Sequence, residues 1–249
     1  MVKTSYPAAC GLVFLALLSG CGSEPGSAAT DGVGYCDDLI AAGALDGELS
    51  DDPDVASDQL SRSQFGFRTD LAWVTLLRDP SVDAERRVWP TPMHPDEVEF
   101  LESPLNQALE ESIEIVLAYG ASHPDTYAGY WVHRDPDPHL EVGMTDGPEP
   151  HQAELQELLG SVAVKVVSAP YTDIETRAAA AQLSSALDVR NTTSYTVSIA
   201  GQVRVSPGRY LVEIGITDAP GADVSEAVAK IPADVLDKVC VRRVQVPRG

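Results

Sequence analysis

An eight-residue pattern that occurs twice in the second half of the chain constrains the fold more than any other feature. Residues 141–148 read Glu-Val-Gly-Met-Thr-Asp-Gly-Pro, and residues 213–220 read Glu-Ile-Gly-Ile-Thr-Asp-Ala-Pro. A helical stretch and then a valine-rich segment follow each copy, at 162–170 and at 239–247. Self-similarity of this kind indicates two related structural units.

The first copy fits a hairpin that is followed by a helix and a third strand. Strands are predicted at 127–134 and 140–145. In the second of these, Leu140, Val142 and Met144 are expected to face a core, and Glu141, Gly143 and Thr145 to face solvent. The second copy fits the same order. Each unit is therefore predicted to be strand, strand, helix, strand, with an open sheet covered by one helix.

Residues 36–120 are predicted to form a helical region, because apolar residues recur there at spacings of three and four. Pro95 should begin one helix, Pro104 should break or kink it, and Gly120 should cap the last helix. Residues 46–58 are rich in Asp, Ser and Pro and predict an exposed loop. The whole chain is predicted to have an α+β fold, with a helical region at 36–120, a first unit with a linking helix at 121–187 and a second unit at 188–249.

The first 21 residues predict an exported lipoprotein. Lys3 is followed by an apolar run at 8–18 and by the tetrad Leu18-Ser19-Gly20-Cys21. The run is too short to span a membrane and is typical of a signal peptide. The tetrad is typical of a lipoprotein signal, in which residues 1–20 are removed and Cys21 receives diacylglycerol and further acyl chains such as palmitate. Such acylation would anchor the chain in the cell membrane on its extracytoplasmic side. A chance cysteine after an ordinary secretory signal is the alternative.

Two cysteines remain after the lipidated one. Residues 21–35 contain many Gly and Ser residues and predict a flexible tether, after which come Cys36 and, near the end of the chain, Cys240. An oxidising compartment favours a disulfide between these two cysteines. Two independent free thiols are the alternative, since distance cannot be read from sequence.

The charge of the chain limits its partners. Its 17 basic and 38 acidic residues give a net charge of -21. Removal of Lys3 with the leader leaves 16 minus 38, or -22. Such a chain repels nucleic acid, so no nucleic-acid partner is expected. Acidity of this degree suits a soluble surface or a cationic partner.

Several short motifs resemble a module of exported bacterial proteins. These are the segment Tyr127-Ala128-Gly129-Tyr130-Trp131-Val132, the strand at 141–146, and the segment 164–167 with the later Thr172-Asp173-Ile174-Glu175. The module is similar to the pro-regions of alpha-lytic and streptogrisin-type serine proteases. Upstream, residues 65–70 and 92–97 resemble the helical segment that precedes it in exported bacterial lipoproteins. The resemblance implies a folding helper or protease-binding module that acts in trans, and it implies no catalytic residue.

The turn His133-Arg134-Asp135-Pro136-Asp137-Pro138-His139 is the one cluster whose residue types suit a metal. Two imidazoles and two carboxylates could hold zinc. A solvated polar turn is the favoured interpretation, because Asp and Pro are ordinary turn residues. No metal site and no cofactor are therefore predicted.

The remaining polar and aromatic groups predict no site. Asp51, Asp52, Asp54 and Asp58 lack the glycine and the terminal glutamate of a calcium loop, and Glu110, Glu111 and Glu114 fit a solvated helix face. Surface positions are expected for His94, His123 and His151. Core positions are favoured over an exposed aromatic patch for Tyr127, Tyr130 and Trp131.

Motifs of nucleophilic and zinc-dependent hydrolases are absent from the sequence. Neither Gly-x-Ser-x-Gly, nor Ser-x-x-Lys, nor His-Glu-x-x-His occurs. The sequence predicts a non-catalytic, lipid-anchored envelope protein that acts as a binding or scaffold module, with a possible protein partner. A trans-acting protease inhibitor or foldase is the alternative.

Overall fold

The computed structural model describes residues 33–82, 84, 91–187, 195–218 and 228–244, and it has the predicted α+β fold. The leader, Cys21 and most of the tether lie outside the described residues. Among the helices of the described part of the chain, none combines the length and the apolar character that a bilayer-spanning helix needs.

Helices dominate the first half of the chain. After a two-residue strand, Gly34–Tyr35 (β1), the described helices are Cys36–Gly43 (α1), Pro53–Gln64 (α2), Leu71–Leu76 (α3), Pro95–Leu101 (α4) and Pro104–Ser122 (α5). Helices α2, α4 and α5 each begin with a proline, whose missing N–H is not needed in a first turn. The residue before each proline caps the helix with its side chain: Asp52, His94 and Ser103.

The prediction of an exposed loop at 46–58 is wrong in its second half, where α2 begins. The Asp52 carboxylate accepts hydrogen bonds from the backbone N–H groups of Asp54 and Val55, at 2.9 and 3.3 Å. Asp and Pro are as typical of a capped first turn as of a loop. Burial of Val55 and Ala56, which sequence does not display, stabilises the helix.

The prediction that Gly120 caps α5 is also wrong, since this helix continues to Ser122. A Cβ atom on Gly120 would lie 2.6 Å from Cδ1 of Tyr127. Glycine therefore lets the first strand of the next unit pack directly against the helix.

A three-stranded sheet follows, formed by Tyr127–His133 (β2), His139–Met144 (β3) and Val164–Ser168 (β4) in the order β2-β3-β4. Strand β3 is antiparallel to β2 and parallel to β4. Helix Gln152–Leu159 (α6) lies in the connection between the two parallel strands. A further helix, Asp173–Ala186 (α7), leads to the second sheet, as the sequence predicts.

The second sheet has the order β1-β7-β6-β5, with strands Tyr195–Ser206 (β5), Arg209–Asp218 (β6) and Val239–Val244 (β7). Strand β6 is antiparallel to β5 and parallel to β7. The two sheets thus share the same pairing of three successive strands. Glu141 and Glu213, which begin the repeated pattern, lie beside Lys165 and Cys240 in the neighbouring parallel strands.

Each sheet packs one face against helices. In the first sheet, Leu140, Val142 and Met144 face α5 and α6 as predicted, in a core with Leu109, Val116, Leu155 and Leu159. In the second, β6 and α7 form a core that contains Ala179, Leu183, Val212, Ile214 and Ile216.

Cys36 and Cys240 form the predicted disulfide, with Cα atoms 4.9 Å apart. Both residues are buried, in a core with Ile40, Val203 and Leu211. Strand β1 pairs with β7 at the same place. The disulfide therefore fastens the start of the folded region to its last described strand.

The prediction that Glu141 and Gly143 face solvent is wrong. Glu141 is only 1% exposed, because the β5–β6 hairpin crosses this face of the first sheet. A Cβ atom on Gly143 would lie 2.8 Å from Cε2 of Tyr210, so glycine leaves room for that ring. The face of β3 that the alternation of apolar and polar residues assigns to solvent instead forms the contact between the two sheets.

Candidate functional site

A cleft of about 260 Å³ lies where the helical region meets both sheets. Its lining comes from the segment after α1, from the α2–α3 connection, from the β2–β3 hairpin and from β5. The lining residues are Ala44, Asp46, Ser63, Gly66, Phe67, Trp131, His133, Asp135, Pro136, Asp137, His139 and Arg204. We call this the hairpin cleft.

The β2–β3 hairpin supplies six of the described lining residues: Trp131, His133, Asp135, Pro136, Asp137 and His139. Trp131 pairs with Glu141 across the hairpin, and His133 pairs with His139. The two imidazole rings stack, with centroids 4.3 Å apart and planes 5° from parallel. Strand pairing therefore sets the positions of these rings before any ligand is present.

The α2–α3 connection is fastened to the hairpin by backbone hydrogen bonds. The carbonyl oxygen of Gly66 accepts hydrogen bonds from the backbone N–H groups of Arg134 and Asp135, at 2.7 and 3.3 Å. Gly66 has φ +72°, and a Cβ atom there would overlap the carbonyl oxygen of Val132. Only glycine fits this wall of the cleft.

Asp46 belongs to a second fixed wall. Its Oδ2 atom accepts hydrogen bonds from the backbone N–H and the hydroxyl of Thr69, at 2.9 and 3.0 Å. The buried Gln59 amide donates to the carbonyl oxygen of Thr69 at 2.9 Å. Nearby, Arg62 is fully buried and pairs with Glu97. These polar contacts hold the helical side of the cleft in one arrangement.

Glu141 and Arg204 meet at the cleft as a buried ion pair. Arg204 donates from Nε and Nη2 to the Glu141 carboxylate at 2.9 and 2.8 Å. Glu141 also accepts hydrogen bonds from the Gly208 N–H at 3.1 Å and the Tyr210 hydroxyl at 3.2 Å. Burial alone would raise the pKa of Glu141, but His133, Arg204 and Gly208 outweigh it and hold the pKa well below 4.5. Glu141 therefore neutralises Arg204.

The pKa values of Asp135 and His139 are shifted in opposite directions from their usual values. Burial and the negative charge of Glu97 raise the pKa of Asp135. The positive charges of Arg62 and Arg68 lower it, but by less. Burial lowers the pKa of His139, partly offset by its hydrogen bond to the backbone of Asp137. His139 is thus mainly neutral near pH 7, and the carboxylates set the charge of the cleft.

The zinc alternative gains no support from this geometry. His133, Asp135, Asp137 and His139 all line the cleft. However, Nδ1 of His139 donates to the carbonyl oxygen of Asp137 at 2.6 Å, and the imidazole rings stack on each other. Within the described ranges, no group of three or more His, Cys, Asp or Glu side chains could hold a metal ion.

A second polar cluster joins α5 to α6. The Tyr119 hydroxyl lies 2.7 Å from Nδ1 of His151 and donates a hydrogen bond to Oε2 of Glu154 at 3.1 Å. Nε2 of His151 lies 2.8 Å from Oδ1 of Asp146. The prediction of a surface position for His151 is wrong, since it is 4% exposed. Burial raises the pKa of Tyr119 to about 12, which disfavours a nucleophilic phenolate. The cluster is a packing contact between helices.

Several of the acidic residues noted in the sequence have structural partners. Asp54 and Asp58 both pair with Arg78, at 3.2 and 2.6 Å. Glu110 pairs with Arg134, and Gln107 donates to Glu111. Among the three aromatic residues, Tyr127 and Tyr130 pack in the core of the first sheet as favoured, whereas Trp131 lines the cleft.

The sequence contains no local signal for the cleft itself. His133 and His139 stood out as a cluster, but Arg204 and Gly66 join them only through contacts across the fold. No protein-family model matches the chain, and neither does any curated protein. The candidate site therefore rests on its own geometry.

Proposed function

We propose that the chain is an exported lipoprotein, anchored in the cell membrane through acyl chains on Cys21, whose folded part binds a protein partner in the envelope without catalysing a reaction. The observation that carries the binding role is the hairpin cleft, a concave site with converging polar and aromatic side chains and rigid walls. The tetrad Leu18-Ser19-Gly20-Cys21, typical of a lipoprotein signal, supports the anchor.

The side chains around the cleft support binding better than catalysis. The Ser63 hydroxyl donates to the carbonyl oxygen of Leu60 at 2.7 Å, so it is not oriented by a histidine. Oδ2 of Asp46 accepts hydrogen bonds from Thr69, and the Arg204 guanidinium donates to Glu141. These fixed groups shape a surface, whereas nucleophilic catalysis needs a nucleophile within hydrogen-bond reach of a base.

The anchor is tested by replacing Cys21 with serine and following the protein in cells fed labelled palmitate. We expect the wild-type chain to take up label and to sediment with membranes, and Cys21→Ser to do neither. Cys10→Ser is the matched control, because Cys10 would leave with the leader. Equal labelling of Cys21→Ser and wild type would refute the anchor.

The binding role is tested by chemical cross-linking in cells that express wild type or a variant with a filled cleft. Ala44 lines the cleft, so Ala44→Trp should abolish a specific cross-linked product. Ala153→Trp, at an exposed position of α6, should preserve the product. A product that survives Ala44→Trp would place the partner elsewhere on the chain.

A second proposal, a trans-acting inhibitor or foldase for a serine protease, is favoured by the strand arrangement that the two sheets share, in which the middle strand is antiparallel to the first and parallel to the third. The purified chain at excess would then slow a co-secreted serine protease or speed its refolding. Unchanged protease activity and unchanged refolding rate would exclude this role.

A further inference from the structure

Among its described lining residues, the hairpin cleft has three carboxylates and one guanidinium group. The carboxylates are those of Asp46, Asp135 and Asp137, and the guanidinium group, that of Arg204, is paired with Glu141. No salt bridge or side-chain hydrogen bond links Asp135 or Asp137 to another residue in the described ranges. Arg62 and Arg68, whose charges act on Asp135, are themselves paired with Glu97 and Asp70. A half-buried carboxylate such as that of Asp135, with no ion-pair partner in the described part of the chain, favours a cationic ligand.

The rings at the cleft favour a planar cation. Trp131 and the stacked pair His133 and His139 line the cleft beside the carboxylates. A guanidinium group stacks on such rings and forms forked hydrogen bonds with a carboxylate, whereas an ammonium group is a compact and strongly hydrated charge. Arginine is therefore a better fit than lysine.

The size of the cleft favours one side chain over a whole small molecule. Its volume of about 260 Å³ is below the range of roughly 300 to 1,000 Å³ that is usual for small-molecule pockets. The chain as a whole has a net charge of -21, which attracts basic proteins.

We propose that the hairpin cleft binds an arginine side chain of a protein partner, with Asp135 as its main ionic contact. This inference rests on the proposed binding function and names the chemistry of the partner. It makes no use of the anchor.

The test is calorimetric titration of the purified full chain with three capped peptides, Gly-Arg-Gly, Gly-Lys-Gly and Gly-citrulline-Gly. Citrulline keeps the planar shape of arginine but has no charge. We expect saturable binding of the arginine peptide, weaker binding of the lysine peptide, and loss of about tenfold or more in affinity for the citrulline peptide.

A pair of variants places the binding in the cleft. Asp135→Asn should weaken binding of the arginine peptide about tenfold or more, while Asp125→Asn, an exposed position before β2, should change it less than about twofold. Binding should also fall between neutral pH and about pH 4, as Asp135 gains a proton.

The proposal is overturned if the citrulline peptide binds as well as the arginine peptide, if Asp135→Asn binds normally, or if the folded wild-type chain binds none of the peptides at millimolar concentrations. If the arginine peptide does not bind but Ala44→Trp removes a cross-linked product, only the arginine ligand is refuted and the binding function stands. Absence of both signals would refute the binding function as well.

Discussion

Arg204 and Glu141 form a bidentate ion pair that joins the second sheet to the first, with N–O distances of 2.9 and 2.8 Å. Their side chains are 6% and 2% exposed. The two residues are 63 positions apart in the chain, and Gly208 and Tyr210 donate to the same carboxylate. The β5–β6 hairpin therefore positions one side of the cleft through a single buried glutamate.

Glu141→Gln should lower the free energy of unfolding by about 3 to 5 kcal/mol, because it leaves the Arg204 guanidinium buried without a counter-charge. Urea titration measures the change. Glu157→Gln, the same replacement at an exposed position of α6, should cost less than about 0.5 kcal/mol. A double variant, Glu141→Leu with Arg204→Met, should recover much of the loss. A cost below about 1 kcal/mol for Glu141→Gln would contradict the role of the pair.

The same carboxylate predicts how stability depends on pH. The folded-state pKa of Glu141 is held below its usual 4.5 by its hydrogen bonds and by Arg204, in spite of burial. Its contribution is therefore complete above about pH 4.5 and is lost as the pH falls toward the folded-state pKa. The stability gap between wild type and Glu141→Gln should shrink in acid urea titrations. A gap that stayed constant down to about pH 2 would show that Glu141 titrates normally.

Removal of the disulfide should destabilise the fold without changing its secondary structure. Cys36 and Cys240 close a loop with a sequence separation of 204. A double Cys36→Ala, Cys240→Ala variant should therefore lose roughly 2 to 5 kcal/mol of unfolding free energy. Reducing agent should lower the unfolding midpoint of wild type and leave that of the variant unchanged. Equal midpoints for reduced and oxidised wild type would argue against any stabilising effect of the bond.

Gly66→Ala should cost about 2 to 4 kcal/mol and weaken ligand binding in the cleft, since the new methyl group would displace the wall from the hairpin. Gly47→Ala is the matched control, because a Cβ atom there meets nothing within 4 Å. Thermal unfolding and peptide titration measure both effects. Wild-type behaviour of Gly66→Ala would show that the α2–α3 connection does not form the wall.

Local patterns predicted the α+β class and the order of the strands in the first sheet. Apolar spacing predicted helices in the first half of the chain, and the alternation of Leu140, Val142 and Met144 predicted the buried face of β3. The predictions failed where two interpretations share the same residue types. Asp52-Pro53 fits a loop or a capped helix, and Gly120 fits a helix end or a packing contact. Burial decides between them, and burial is a property of the whole fold.

The sequence by itself determined the α+β class, the candidate cysteine pair and the acidic charge, because these depend on composition and on contacts between near neighbours. Only the tertiary structure decided that Glu141 is buried and that Gly66 and Arg204 complete a cleft with His133. A strand pattern assigns residues to two faces, but it does not state what covers each face. That choice depends on which distant segments pack together, and here the β5–β6 hairpin covers the face that alternation leaves to water.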